Sequence, residues 1–369
     1  MKTVCNLNEC TGCQACANIC AKDAISLVDS VKAYNAEIDE SICINCGACE
    51  RVCPVNSLPE KEKPFLWKQG WAIDEDIRRK SSSGGVAATI QNSFVLSGGV
   101  VCSCVFENGS FVFSIAHDTE EIKRFAGSKY VKSNPQKVYM EIYKLLKKHQ
   151  KVLFVGLPCQ CAAVKNFCLN NQHLYTVDLI CHGTPSPKLL NMYLSENNIA
   201  IAEAQRVDFR EKTKFGLYVN GEKIVPDAVR DRYIMAFLDS VCYTENCYNC
   251  QYATTERVSD LTLGDSWGSD LDEAEIKKGI SLILCQSPKG LELINQSAIH
   301  LEDVCSEKAV QNNKQLIRPA TKPQCYEAFF NTLEKKDNFS KTMFRCYPKE
   351  CSRQNIKKTL IKLKLINNR

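Results

Sequence analysis

The spacing of eight cysteines within the first 53 residues constrains this chain more than any other feature. Cys10-x2-Cys13-x2-Cys16-x3-Cys20 is repeated 33 residues later as Cys43-x2-Cys46-x2-Cys49-x3-Cys53, with Pro54 behind it. Thiolates two residues apart wrap three corners of a 4Fe–4S cubane, and the chain must then turn away before it can reach the fourth. Each run therefore gives three ligands to one cubane and its last cysteine to the other. Cys10, Cys13, Cys16 and Cys53 are assigned to one cluster, and Cys43, Cys46, Cys49 and Cys20 to the second. Zinc sites use paired Cys-x2-Cys and have no use for a third cysteine at the same step. A disulfide framework needs an oxidising compartment, which nothing in the chain supplies.

This is the spacing of bacterial two-cluster ferredoxins. Ala21 stands where that run has proline after its fourth cysteine, a departure that removes no ligand. Short strand-like segments at 24–28 and 33–39 supply the hairpin such a domain needs, so residues 1–58 are read as a ferredoxin-type domain. Residues 59–64, charged and bounded by Pro59 and Pro64, are read as a linker. About 300 residues remain, enough for a sizeable second core.

The 23 cysteines in 369 residues argue for metal ligation in a reducing compartment. The formal charge of +5 counts every cysteine as neutral. Three cubanes, each with four thiolates and a charge of about −2, would bring the loaded protein to about −1. Lysine and arginine are scattered rather than banded, which speaks against a nucleic-acid partner. The N-terminus has no apolar signal-like region, and no apolar run approaches the ~18 residues that cross a bilayer. A cytoplasmic protein without a transmembrane segment is expected.

Beyond the linker the pattern is mixed α/β. A strand at 67–73 leads into Arg78-Arg79-Lys80-Ser81-Ser82-Ser83-Gly84-Gly85 and a helix from Val86. Such a helix start suits an anion and equally suits an ordinary serine cap. Strands at 100–106 and 111–116 are joined at Asn108-Gly109, a hairpin signal. From residue 151 onward the pattern becomes strand, loop, helix, with strands at 151–156, 175–180, 260–265 and 280–285, which predicts a largely parallel sheet. Ligands gather at the carboxyl ends of such strands, where Cys159 and Cys181 fall. Cys247-x2-Cys250 precedes the third of these strands. Alone it reads as a zinc, redox or cluster pair, but with the two strand-end cysteines it makes a plausible four-thiolate set, to which Cys161, Cys168 and Cys242 are alternatives. The second unit is divided into 65–150 and 151–310, followed by a basic extension at 311–369, read as a solvated tail or a helix packed on the domain.

Six ordered motifs carry a family resemblance: Ser82-Ser83-Gly84-Gly85, Gly127-Ser128-Lys129-Tyr130-Val131, Gly156-Leu157-Pro158-Cys159-Gln160, Cys181-His182-Gly183-Thr184-Pro185-Ser186-Pro187, Cys247-x2-Cys250 and Gly264-Asp265-Ser266-Trp267-Gly268. Over roughly residues 65 to 310 the chain resembles the beta subunits of coenzyme F420 hydrogenases and dehydrogenases. The resemblance implies a flavoprotein with FAD beside a 4Fe–4S cluster. It would exchange electrons between ferredoxin, or another redox protein, and a small-molecule hydride donor or acceptor such as F420. A third cluster is then expected on Cys159, Cys181, Cys247 and Cys250. The flavin phosphates are expected at Ser82, Ser83, Gly84 and Gly85 and near Lys129 and Tyr130, with His182 as proton donor and Lys129 or Arg210 as anion contacts. The alternative is a non-catalytic relay protein serving a partner enzyme, for which surface-polysaccharide biosynthesis is one setting.

Overall fold

A computed structural model describes residues 2–335 and 338–367. At the N-terminus, β1 (Lys2–Thr3), β2 (Ile25–Asp29) and β3 (Tyr34–Ile38) form an antiparallel sheet in the order β1-β3-β2. Each cysteine run enters a short helix, Ala15–Ile19 or Ala48–Val52, through a residue with positive φ, Gln14 (60°) or Gly47 (69°). The two halves differ in exposure. Cys10, Cys13, Cys16 and Cys53 are buried, Cys20, Cys43 and Cys49 are half-buried, and Cys46 is exposed. One thiol set thus faces inward and the other faces solvent.

The inward set is docked. Cys13, Ala15 and Val52 pack into the same apolar cluster as Phe154, Cys161 and Phe167 of the larger unit. Gln14 Nε2 donates to Asn134 Oδ1 at 2.7 Å, Asn18 Nδ2 to the Gln136 carbonyl at 2.6 Å, and Asn166 Nδ2 to the Ser57 carbonyl at 2.6 Å.

The larger unit is built on eight strands: β4 (Leu66–Ala72), β5 (Val100–Glu107), β6 (Ser110–Ala116), β7 (Val152–Gly156), β8 (Leu174–Leu179), β12 (Leu261–Asp265), β13 (Ser281–Cys285) and β14 (Ile299–Asp303). The intervening β9 (Val207–Glu211), β10 (Lys214–Val219) and β11 (Glu222–Lys223) form a separate small antiparallel sheet. The order of the large sheet is β14-β4-β13-β12-β8-β7-β5-β6. Its centre, β12-β8-β7-β5, is parallel, and both flanks are antiparallel. Helices cover both faces of the centre. Val86, Ile90, Phe94 and Leu293 lie on one side, and Val138, Ile142, Val164 and Phe167 on the other. Two-sided burial is why β7 reads as an unbroken apolar run with no alternation.

The strand at 281–285 pairs antiparallel with β12, where the strand–helix alternation led us to expect a parallel neighbour. The only helix between them, Glu273–Lys278, has six residues and spans about 9 Å. That is too short to carry the chain back along a five-residue strand of about 17 Å, so the chain re-enters from the same end.

The C-terminal helix Pro348–Lys362 packs through Cys351 and Gln354 onto the domain, and Gln354 Oε1 accepts from the Arg230 N–H at 3.0 Å. The last two residues of the basic extension, 368–369, lie outside the described residues, as do 336–337 within it. No helix among the described residues is long and apolar enough to cross a membrane.

Candidate functional site

Cys159 and Cys181 sit just beyond the carboxyl ends of the adjacent parallel strands β7 and β8. Cys159 lies in the first turn of the helix Pro158–Phe167, where the Leu157 N–H donates to Gln160 Oε1 at 2.9 Å. Cys181 opens a tight loop. Gly183 has φ +134°, and a Cβ there would come within 2.3 Å of the Tyr243 ring. That loop is stitched to the segment carrying the second pair, because the Thr244 N–H and Oγ1 both bond the Thr184 carbonyl at 3.1 and 3.2 Å. Cys247 stands in the 3-10 turn Glu245–Asn249 with Thr244 Oγ1 at 3.6 Å from its sulfur, and Cys250 caps the turn.

Arg257 locks this loop to the sheet. Its guanidinium bonds Asp178 Oδ1 of β8 at 2.8 and 3.3 Å, and also the carbonyls of Tyr252 (2.6 Å), Leu179 (3.1 Å) and Thr254 (3.4 Å). Both partners are fully sequestered, with 2% and 0% of their side chains exposed.

Cys181 feels the charge of Cys247 and Cys250, and Cys159 that of Cys250 and Cys181, so the four thiols lie in one neighbourhood, although no group of three or more metal-ligating side chains among the described residues is already arranged around a single ion. Burial pushes the Cys181 thiol up to about 12, and charge on Cys247 and Cys250 adds to the effect. Cys159 is raised by burial, against Lys132, with Cys250, Cys181 and Cys13 adding; Cys250 is raised by burial and by Cys247. Holding a metal there would require these thiols to lose their protons, and burial raises Cys161, Cys168 and Cys242 as well. Cys161 instead points at the Val177 carbonyl (3.6 Å), and Cys168 and Cys242 are buried in apolar clusters.

The inner N-terminal thiols lie next to this group. Tyr252 stands in the field of Cys159, Cys13, Cys250 and Cys53 and donates to the Pro54 carbonyl at 3.1 Å. Cys5, which no ligand spacing singled out, stands against Cys10 and Cys53 and lowers the thiol pKa of both.

A shallow cleft of about 20 Å³, open to solvent, is lined by Ser82, Arg210, Lys212, Asp265 and Trp267 among others. Arg210 bonds both carboxylate oxygens of Asp265 at 2.7 and 2.9 Å, the Ser82 carbonyl at 2.6 Å and Tyr130 Oη at 3.3 Å. Lys212 reaches the Arg78 carbonyl and, at 3.1 Å, that of Ser83. Arg78 and Arg210 each have a carboxylate partner, Glu275 and Asp265. Lys212 forms no ion pair among the described residues. Burial first, then Arg78 and Arg210, push its ammonium down to about 8. This surplus cation fits an anionic ligand such as a phosphate, and no sequence motif contained it.

The other expected residues are distributed unevenly. His182 is exposed, and its imidazole lies in the field of Asp265 and Arg210 of the cleft. Tyr130 stacks on Phe237 with centroids 4.4 Å apart. The Lys129 ammonium turns onto the carbonyls of Phe125 (2.6 Å) and Ala126 (2.9 Å). Ser82 Oγ accepts from the Ser128 N–H at 3.0 Å, and Ser83 Oγ donates to the Ile280 carbonyl at 2.9 Å. Gly84 has a packing reason of its own, since a Cβ there would lie 2.5 Å from the Gly70 carbonyl oxygen. Gly85, at φ +87°, leads into the helix Val86–Leu96, whose start has no side-chain cap.

Comparison with known proteins identifies the family of the two units. Residues 68–138 match the N-terminal and 149–307 the C-terminal family description of the coenzyme F420 hydrogenase/dehydrogenase beta subunit, and residues 9–57 match a 4Fe-4S dicluster domain. The chain is 24% identical over 337 residues to one subunit of the F(420)H(2) dehydrogenase of Methanosarcina mazei, covering 81% of this chain and 93% of that protein. It is 24% identical over 333 residues to the coenzyme F420-dependent sulfite reductase of Methanocaldococcus jannaschii, covering 76% of this chain and 50% of that one. A ferredoxin of Alicyclobacillus acidocaldarius is 42% identical over 69 residues, 16% of this chain and 83% of the ferredoxin.

Proposed function

Since the chain belongs to the family of coenzyme F420 hydrogenase/dehydrogenase beta subunits and carries a 4Fe-4S dicluster domain, we propose that it is an FAD-dependent oxidoreductase that passes electrons between an external carrier and a hydride donor or acceptor. One observation carries this reading: Cys159, Cys181, Cys247 and Cys250 lie in one neighbourhood, Cys13 of the inner N-terminal set acts on Cys159, and His182, next to Cys181, feels Asp265 and Arg210 of the cationic cleft. On this reading the outer set, Cys20, Cys43, Cys46 and Cys49, meets the external redox partner, and the inner set and strand-end set hold the second and third clusters.

FAD, when bound, joins two-electron hydride chemistry to one-electron carriers. The residues that would hold it are Ser82, at the edge of the uncapped but buried helix start after Gly85, and Lys212, which would supply the charge its phosphates require. Lys129, engaged by two carbonyls, supports that loop from beneath, and Tyr130 packs beside Arg210. His182 is the side chain in reach of the cleft that could carry a proton.

Anaerobically purified protein tests the proposal. It is expected to contain about twelve irons per chain, three cubanes of four, and one FAD, and its flavin band should bleach on adding reduced F420 or NAD(P)H. A flavin reduced by dithionite or ferredoxin but by no hydride donor makes the chain a relay protein instead.

Two further outcomes follow. Because Cys46 is the exposed thiol of the outer set, Cys46→Ser should abolish that cluster's EPR signal and slow electron exchange with added ferredoxin, leaving flavin content unchanged. Unchanged exchange would place the entry point elsewhere. The Lys212 ammonium titrates near 8, and an anion beside it favours the charged form. FAD affinity should therefore be highest below pH 8 and fall as pH rises through it, with about half a proton taken up per FAD bound at pH 8. Calorimetry in buffers of different ionisation enthalpy reads that uptake. It should vanish in Lys212→Met and with riboflavin, which has no phosphate.

A further inference from the structure

Lys132 is a lysine only 5% exposed, and it lies between two groups of thiols. Its backbone N–H donates to the Pro185 carbonyl at 2.9 Å, which ties it to the loop that begins at Cys181. Its Nζ donates to the Thr11 carbonyl at 2.9 Å, between Cys10 and Cys13, and lies 5.1 Å from the centroid of the Tyr34 ring. Its stem is fitted closely, since a Cβ on Gly12 would come within 2.9 Å of Lys132 Cδ. Among the described residues it forms no ion pair with a carboxylate. One carbonyl and one aromatic face do not balance a buried ammonium, which in proteins is otherwise paired. The groups that feel its charge are thiols, which would be thiolates in a loaded cluster: Cys10 on the N-terminal side, and Cys159 and Cys181 at the strand ends, where it acts against the burial that raises both.

We propose that Lys132 is a positioned cation shared by the inner N-terminal cluster (Cys10, Cys13, Cys16, Cys53) and the strand-end cluster (Cys159, Cys181, Cys247, Cys250), raising the reduction potential of both. The part concerning the strand-end cluster rests on the function proposed above. Reduction adds one electron to a four-thiolate cubane that is already anionic. A fixed positive charge on its flank stabilises the added electron. Acting on thiols of both groups, the cation shifts both potentials in the same direction. The outer cluster lies outside its reach and should be indifferent to it.

An EPR-monitored redox titration of the intact anaerobic protein tests this. Lys132→Gln keeps a donor for the Thr11 carbonyl and removes the charge, and Lys132→Met is a second neutral variant. Either is expected to shift the reduced-to-oxidised ratio of the inner and strand-end clusters about tenfold toward oxidised at a given potential, a drop of about 59 mV for a one-electron couple. The outer cluster should titrate as before, and Lys132→Arg, which keeps the charge, should resemble the unaltered protein. Unchanged inner potentials in a neutral variant that retains its iron overturn the inference, and so does a Lys132→Arg shift as large as that of Lys132→Gln. Iron content separates this from the function itself. A chain with about eight irons removes the strand-end cluster from the reading, yet the inner N-terminal cluster must still shift.

Discussion

Replacing Cys181 by alanine should lower the iron of the intact anaerobic protein by about four atoms per chain and cut the flavin off from ferredoxin, with both N-terminal clusters spectroscopically intact. Cys181 is followed directly by His182, on which Asp265 and Arg210 of the cleft act. Its thiol is half-buried, raised to about 12, and has Cys247 and Cys250 as charge neighbours. An alanine there leaves the sheet and the loop stitching through Thr184 and Thr244 in place, so the loss should be local. Dithionite would then still reduce the N-terminal clusters, while hydride donors would reduce flavin without the electrons reaching added ferredoxin. A Cys181→Ala protein with full iron would exclude this thiol as a ligand. An iron content that falls by about four in Cys161→Ala instead would move the site.

The second large effect concerns Arg257. Arg257→Met leaves Asp178 charged and buried beneath the sheet end, with Oδ2 already lacking a hydrogen-bond partner. Breaking a buried pair on one side costs about 3–5 kcal/mol, chiefly because of the uncompensated charge. It also releases the carbonyls of Tyr252 and Leu179, and with them the anchoring of the Cys247–Cys250 loop to β8. The variant is expected to unfold at a clearly lower temperature, read by tryptophan fluorescence, and to lose the strand-end iron before the N-terminal iron. Adding Asp178→Leu removes the stranded charge and should recover much of the thermal loss. It should not recover the iron, because the carbonyl contacts remain absent. An Arg257→Met protein that melts like its parent would show that the pair contributes no net stability.

These two predictions draw on different amounts of sequence information. Cys181 could be singled out from sequence, because it follows a short apolar strand whose end is where ligands collect. Arg257 could not. Its significance depends on Asp178, 79 positions away, being on the strand that carries Cys181, and no local periodicity records that. The same holds for Lys212, whose surplus charge appears only once Arg78 and Arg210 are matched to their carboxylates. Lys129 is the converse case. Its motif suggested an anion contact, but the fold turns its ammonium onto two carbonyls at the end of a 3-10 turn.

By itself the sequence determined the dicluster domain and the parallel centre of the sheet. Both are written in short-range terms: the reach of a loop around a cubane corner, and unbroken apolar strands buried on both faces. The hairpin at Asn108-Gly109 belongs with them, since its two residues at φ 49° and 72° need nothing beyond the turn itself. Only the tertiary structure decided which N-terminal thiols face inward, that β13 runs antiparallel, and that Lys132, Arg257 and Lys212 stand where charge must be balanced. Those outcomes depend on which distant segments stack against one another, and the free energy that sets them is burial and charge pairing summed across the fold rather than anything encoded within a single turn.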